Sequence, residues 1–222
     1  MHEIKALIFD FDGLILDTET PLFQAWYEIF QTYGLSLSIQ EWAEFLGHSA
    51  DPEEPYVALE NQLKKAIDRE SIRAKRILRE KELLLSQKVL PGVEPLLQEA
   101  KRSGLKLAIA SSSDRYWVTK YLTRLDLIHY FDLLKCAEDV TNTKPEPDLY
   151  LAALESLGVA PDEAIALEDS LHGVKAAKAA GIFCIAIPNR ITKHVQFGQA
   201  DVVLDSLFGI LLKDLQALVE EG

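Results

Sequence analysis

The sequence predicts an α/β fold: a parallel sheet core with helices on both faces, interrupted early by an all-helical insertion. Three observations predict it. Apolar runs of strand length, at 4–9, 105–110, 164–167 and 182–187, alternate with segments whose apolar residues recur at helical spacing. The runs are apolar at consecutive positions, as strands covered on both faces are. Between the first run and the rest, residues 18–87 carry helical periodicity alone.

The first run, Ile4 to Phe9, ends in Asp10-Phe11-Asp12-Gly13. Side chains alternate along a strand, so Asp10 and Asp12 can leave its carboxyl end in one direction, and Gly13 allows a sharp turn. A short apolar segment follows, then Thr18 as a helix cap with Pro21 early in the helix. Leu22, Phe23, Trp26, Ile29, Phe30 and Tyr33 form a helical face that Gly34 stops. Trp42, Phe45 and Leu46 continue the helical pattern to Gly47, and 47–52 reads as a loop. Leu59, Leu63, Ala66 and Ile67 mark the next helix. A charged helix from Asp68 to Lys88 has Ala74, Ile77, Leu78, Leu84 and Leu85 as its inward stripe, and its mixed-sign charges read as a solvated face.

From Pro91-Gly92 a helix runs to near Gly104, followed by the strand at 105–110 and the run Ser111-Ser112-Ser113-Asp114. A helix through Trp117, Val118, Tyr121 and Leu122 leads to a short strand at 132–136. The rigid loop Lys144-Pro145-Glu146-Pro147-Asp148 ends where a helix to Gly158 begins. The strand at 164–167 ends in Glu168-Asp169-Ser170. The helix of Val174, Ala177, Lys178 and Ala180 stops at Gly181, the strand at 182–187 follows, and 200–204 adds one more before a final amphipathic helix.

Composition narrows the function. A net charge of -12 over 222 residues argues against nucleic acid and anionic membranes as partners. An anionic substrate would then need local positive charge, from a metal or a placed lysine. Cys136 and Cys184 make no disulfide framework, and Cys184 reads as a small buried hydrophobe. No apolar run is long enough to span a bilayer, and the chain enters a strand without a signal-peptide pattern, so a cytoplasmic protein is expected. No extensive apolar face stands out, which favours a monomer.

Four segments share one form, polar residues placed where a parallel sheet binds ligands. They are Asp10 and Asp12, Ser111 to Ser113, Lys144, and Glu168 and Asp169. Each alone has an ordinary explanation: a solvated turn, helix-capping serines, a surface lysine, an acidic helix cap. Together they suit Mg²⁺ and a phosphoryl group. Magnesium prefers oxygen ligands, while a hydroxyl, helix N-terminal amides and a lysine can hold the remaining phosphate oxygens.

In these motifs the sequence resembles the haloacid dehalogenase superfamily of aspartate-nucleophile hydrolases, in the subgroup of β-phosphoglucomutase and many small-metabolite phosphatases. The likeness covers nearly the whole chain: Asp10-Phe11-Asp12-Gly13, Asp17-Thr18-Glu19, a helical cap, Ser111, Lys144-Pro145-x-Pro147-Asp148 and Glu168-Asp169-Ser170. It implies a Rossmann-like core from residues 1–17 and 88–222 with a mobile cap at 18–87. It implies Asp10 as nucleophile, Asp12 as general acid and base, and Ser111, with Ser112 beside it, and Lys144 as phosphoryl ligands. Mg²⁺ would be held by Asp10, Asp169 and the backbone carbonyl of Asp12, with Glu168 a ligand or its supporting partner. The cap loop Gly47-His48-Ser49 resembles the family's specificity loop and, with Thr18, is expected near the substrate. An acid at Asp12 favours phosphate esters over organohalides, because a halide leaves without a proton.

The expected activity is Mg²⁺-dependent hydrolysis of a small phosphorylated metabolite, a sugar phosphate or nucleotide-related monophosphate, through an aspartyl-phosphate. The alternative is a β-phosphoglucomutase-type mutase. That pattern has a histidine where Leu22 stands and an arginine where Ala50 or Asp51 stands, so the grip on a second phosphate is missing. A non-catalytic phosphometabolite-binding protein is the third reading, and the full set of carboxylates argues against it.

Overall fold

A computed structural model of the chain describes residues 3–45 and 53–221. It divides into two compact units, Met1–Leu16 with Lys88–Gly222, and Asp17–Gln87. In chain order, β1 (Ala6–Phe9) leads to four helices: α1 (Glu19–Thr32), α2 (Ile39–Phe45), α3 (Glu54–Leu63) and α4 (Arg69–Ser86). Then come α5 (Val93–Arg102), β2 (Lys106–Ala110), α6 (Arg115–Arg124), β3 (Leu133–Lys135) and α7 (Asp148–Leu157). The chain ends with β4 (Ala164–Glu168), α8 (Leu171–Ala179), β5 (Phe183–Ala186), β6 (Val202–Val203) and α9 (Leu212–Glu221). No helix among the described residues is long and apolar enough to cross a membrane.

The six strands form one parallel sheet in the order β3-β2-β1-β4-β5-β6. β1 is central, with Phe9 opposite Ile109 of β2 and Leu167 of β4, so the residues that follow all three leave one edge together. Alternation sorts the strands by size. Ala6, Ala108, Ala110, Ala164, Ala166 and Ala186 face the core shared with α7 and α8, and these short side chains let the helices approach closely. Leu7, Phe9, Leu107, Ile109, Ile165 and Leu167, all fully buried, take the alternate positions, and α5 packs on β2 and against α9.

In the helical unit, α1 packs against α4, and Trp26 meets Tyr56 edge to face at 4.7 Å. The charges of α4 are taken up locally. Arg69 pairs with Glu53 and Glu60, and Arg79 holds Glu28 through Nε at 2.7 Å and Nη2 at 3.1 Å. The face α4 buries is Ile72, Arg76 and Leu84, whereas Ala74, Leu78 and Leu85 of the expected inward stripe are exposed, so Arg76 leaves the solvated face expected of these charges while Arg69 and Arg79 keep to it.

Several boundaries differ from expectation for local reasons. α3 stops at Leu63 because Lys64 turns left-handed, so Ala66 and Ile67 lie outside the helix. The Thr18 side chain makes no capping bond; Asp17 Oδ1 takes the Thr20 N–H instead, at 2.9 Å. Ser111 to Ser113 precede α6, which is capped by Asp114 accepting from Trp117 N–H, so helix capping does not account for the three serines. Ser170 caps α8, which frees Glu168 and Asp169 from that role.

Candidate active site

The site grows from the carboxyl ends of β1 and β4. Asp10 N–H donates to Leu167 carbonyl at 2.9 Å and Ile187 N–H donates to Glu168 carbonyl at 2.6 Å, so the sheet ladder fixes both acidic residues. Asp10, Glu168 and Asp169 are all buried, and one carboxylate oxygen of each lies within 4.8 Å of the others. Gly13, at φ +80°, turns the chain just beyond, where a Cβ would stand 1.9 Å from Asp169 Oδ2.

Lys144 enters from the loop before α7 and donates to both Asp10 Oδ1 and Glu168 Oε1. Its side chain is 5% exposed. α7 begins four residues later and brings Tyr150, whose hydroxyl donates to Glu168 Oε1 at 2.6 Å and whose ring lies 5.2 Å from the ammonium. Glu168 Oε2 accepts from Asp169 N–H at 3.2 Å and Ser170 Oγ at 3.3 Å. Glu168 is thereby oriented as the buried partner of Lys144.

Burial pushes the Asp10 carboxyl up to about 7, with the Lys144 ammonium pulling the other way and Glu168 and Asp12 adding to the rise. Burial works against the Lys144 charge, but Asp10 and Glu168 outweigh it and hold the amine well above its usual range. The Lys144 ammonium contacts two of these three buried carboxylates, Asp10 and Glu168, and the three together offer oxygen donors within 4.8 Å of one another. Such a set fits a hard divalent cation such as Mg²⁺ or Mn²⁺.

The Asp12 side chain has partners of its own. Its Oδ2 accepts from Ser113 Oγ at 2.6 Å and its Oδ1 from Trp117 Nε1 at 2.9 Å. Ser111 is buried at the end of β2; its N–H donates to Lys135 carbonyl and its Oγ accepts from Ser113 N–H at 3.1 Å. Ser112 is exposed. Thr18, in the helical unit, is 6% exposed, and its hydroxyl has no hydrogen-bond partner among the described residues. Gly47, His48 and Ser49 lie outside the described residues.

Sequence reasoning missed four residues that hold the acids, Trp117 on Asp12, Tyr150 on Glu168, and Asn189 and Thr192 on Asp169, while Ser113, one of the expected cluster of serines, holds Asp12. A signal existed for Asn189, which follows the β5 run just as the other polar segments follow theirs. Tyr150 carried none, because a tyrosine at helical spacing reads as core.

Comparison with known proteins agrees with this geometry. Residues 7–187 match the model of the haloacid dehalogenase-like hydrolase family. YhcW of Bacillus subtilis (strain 168), a candidate phosphatase, is 43% identical over 204 residues, covering 92% of each chain. A phosphorylated carbohydrates phosphatase of Thermotoga maritima is 35% identical over 181 residues, covering 81% of this chain and 82% of the relative. The crystal structure of CbbY from Rhodobacter sphaeroides in complex with phosphate superposes with a TM-score of 0.74 at 32% identity, over 96% of this chain and 99% of that one. With the parallel sheet, the buried acidic trio and the lysine between two of its members, these matches mean that the chain belongs to the haloacid dehalogenase-like hydrolases.

Proposed function

We propose that the protein is a Mg²⁺-dependent phosphatase that hydrolyses a small phosphorylated metabolite, a sugar phosphate or nucleotide-related monophosphate, through an aspartyl-phosphate on Asp10. The observation that carries this is the Lys144 ammonium bridging Asp10 and Glu168 beside Asp169, with the Asp12 carboxyl held separately by Ser113 and Trp117. In this reading Asp10 serves as the nucleophile, and Asp12, whose carboxylate accepts from Ser113 and Trp117, serves in proton transfer. The bound phosphate in CbbY and the sugar-phosphate substrates named for the Thermotoga relative support this substrate class.

In the first step an Asp10 oxygen attacks phosphorus in line. The bond from phosphorus to the leaving oxygen breaks as Asp12 gives that oxygen its proton. In the second step Asp12 takes a proton from water, the water oxygen attacks phosphorus, and the Asp10–phosphorus bond breaks to release phosphate. Lys144 and the Ser111 hydroxyl hold phosphoryl oxygens in both steps, and Tyr150 and Glu168 keep Lys144 in place. Asp10 and Asp169, the Asp12 backbone carbonyl and Glu168 are the groups that would hold Mg²⁺, which when bound neutralises the nucleophile and the phosphoryl oxygens. The helical residues 18–87 would serve as the cap that excludes water, with Thr18 and Gly47-His48-Ser49 selecting the substrate. Part of the same proposal is that the enzyme acts as a cytoplasmic monomer.

The test is phosphate release from a panel of sugar phosphates, nucleotides and an aryl phosphate, with Mg²⁺ or chelator, for native protein and Asp10→Asn. Metal-dependent release that the substitution abolishes is expected. Isomerised sugar phosphate without release would instead identify a mutase.

A further inference from the structure

We infer that Asn189 is a positioning residue for the cation site: it fixes the direction of the Asp169 carboxylate. The inference rests on the proposed reading of Asp169 as a cation ligand, and its evidence is the loop that follows β5. Asn189 Oδ1 accepts from Ile191 N–H at 2.8 Å and from Thr192 N–H at 3.1 Å. Backbone N–H groups can only donate, so the amide oxygen must face them and the NH₂ must face outward. That NH₂ donates to Asp169 Oδ2 at 2.6 Å.

The same loop grips Asp169 a second time. Asn189 N–H donates to Thr192 Oγ1 at 3.0 Å, and Thr192 Oγ1 in turn donates to the Asp169 carbonyl at 3.0 Å. Main chain and side chain of Asp169 are therefore anchored to one short turn. Gly13 makes room for the pair, since a Cβ there would stand 1.9 Å from Asp169 Oδ2 and 2.7 Å from Asn189 Nδ2.

The choice of an amide has a physical logic. A lysine in place of Asn189 would itself neutralise Asp169 and compete with a cation, and an aspartate would repel it. An amide donates a hydrogen bond without adding charge, so it stops the carboxylate from turning yet leaves its negative charge for a metal. Groups that orient metal ligands in this way typically control affinity by about 10- to 100-fold.

The test is Mn²⁺ binding followed by electron paramagnetic resonance of the free ion, which needs no turnover, on native protein, Asn189→Ala, Thr192→Val, Thr192→Ser and Asp169→Ala. Native protein is expected to bind one Mn²⁺ at a site that Asp169→Ala removes. Asn189→Ala should bind about 10-fold or more weakly, Thr192→Val should be weakened, and Thr192→Ser, which keeps the hydroxyl, should bind as the native protein does. Native affinity in a folded Asn189→Ala protein would overturn the inference. If Asn189→Ala does not fold, equal binding by Thr192→Val and Thr192→Ser overturns it. Absence of Mn²⁺ binding by the native protein would instead overturn the cation reading on which it stands.

Discussion

At the scale of single residues, the division of labour between the two aspartates of the first strand end depends on what each accepts. Asp10 faces an ammonium and two other carboxylates, whereas Asp12 faces an indole N–H and a serine hydroxyl. The indole can only donate, so it claims Oδ1 as an acceptor. The serine hydroxyl can donate or accept, so it can follow a proton on Oδ2. Trp117→Phe should therefore impair proton delivery to the leaving group while sparing the nucleophile. We expect turnover of an alkyl sugar phosphate to fall by about 10- to 100-fold, within the span that general acid catalysis contributes. Turnover of an aryl phosphate, whose leaving oxygen needs little protonation, should fall far less. Equal losses on the two substrates would mean that Trp117 only supports the fold. The acids themselves were legible because each closes an apolar run. Trp117 was not, nor was the Asp12 contact of Ser113, since their meaning comes from a carboxylate 105 and 101 positions away.

At the scale of elements, the helix after β4 shows a local preference yielding to a tertiary contact. Gly173 sits inside α8, where alanine would favour the helix by about 1 kcal/mol. A Cβ there would stand 1.9 Å from the Glu168 carboxylate, which is itself held by Tyr150 and Lys144. Overpacking of that kind costs about 1–3 kcal/mol, so the clash should win. Gly173→Ala is expected to lower the melting temperature and to cut turnover, because Lys144 must move with Glu168. A raised melting temperature would show that the carboxylate can step aside. Strand positions were readable from the runs, since a parallel strand covered on both faces has no polar positions to blur it. Helix starts were less so: Thr18, Ser111 to Ser113 and Glu168-Asp169 are all plausible caps, and the bonds go to Asp17, Asp114 and Ser170. Capping propensity ranks these residue types alike, and only the position of the chain turn chooses among them.

At the scale of the whole molecule, the site is a place where stability is given up for reactivity. Burial raises the Asp10 carboxyl to about 7, far above its value in an unfolded chain, so the folded protein binds a proton that the unfolded one has released. The stability associated with that proton is fully present below about pH 4 and is lost as pH rises through about 7. In chelator, the native protein should thus melt at a higher temperature at pH 6 than at pH 8. Asp10→Asn should flatten this dependence while abolishing turnover, and an unchanged dependence in that variant would assign it to another group. The net charge of -12 adds to that cost, since a strongly acidic chain repels itself in the compact state.

What the sequence determined by itself was the pattern of runs and their polar ends: a parallel sheet, an inserted helical stretch, and Asp10, Lys144, Glu168 and Asp169 as polar residues that converge on one edge of that sheet. These follow from periodicity and residue type, which are local properties of the chain. Only the tertiary structure decided which carboxylates come together in one buried cluster and which accepts from Ser113 and Trp117 instead, because burial, charge and hydrogen bonding act between segments that the sequence keeps far apart. It likewise decided that Ser113, Trp117, Tyr150, Asn189 and Thr192 hold those acids in place, since a polar residue's role is set by the partner it meets and not by its own position in the chain.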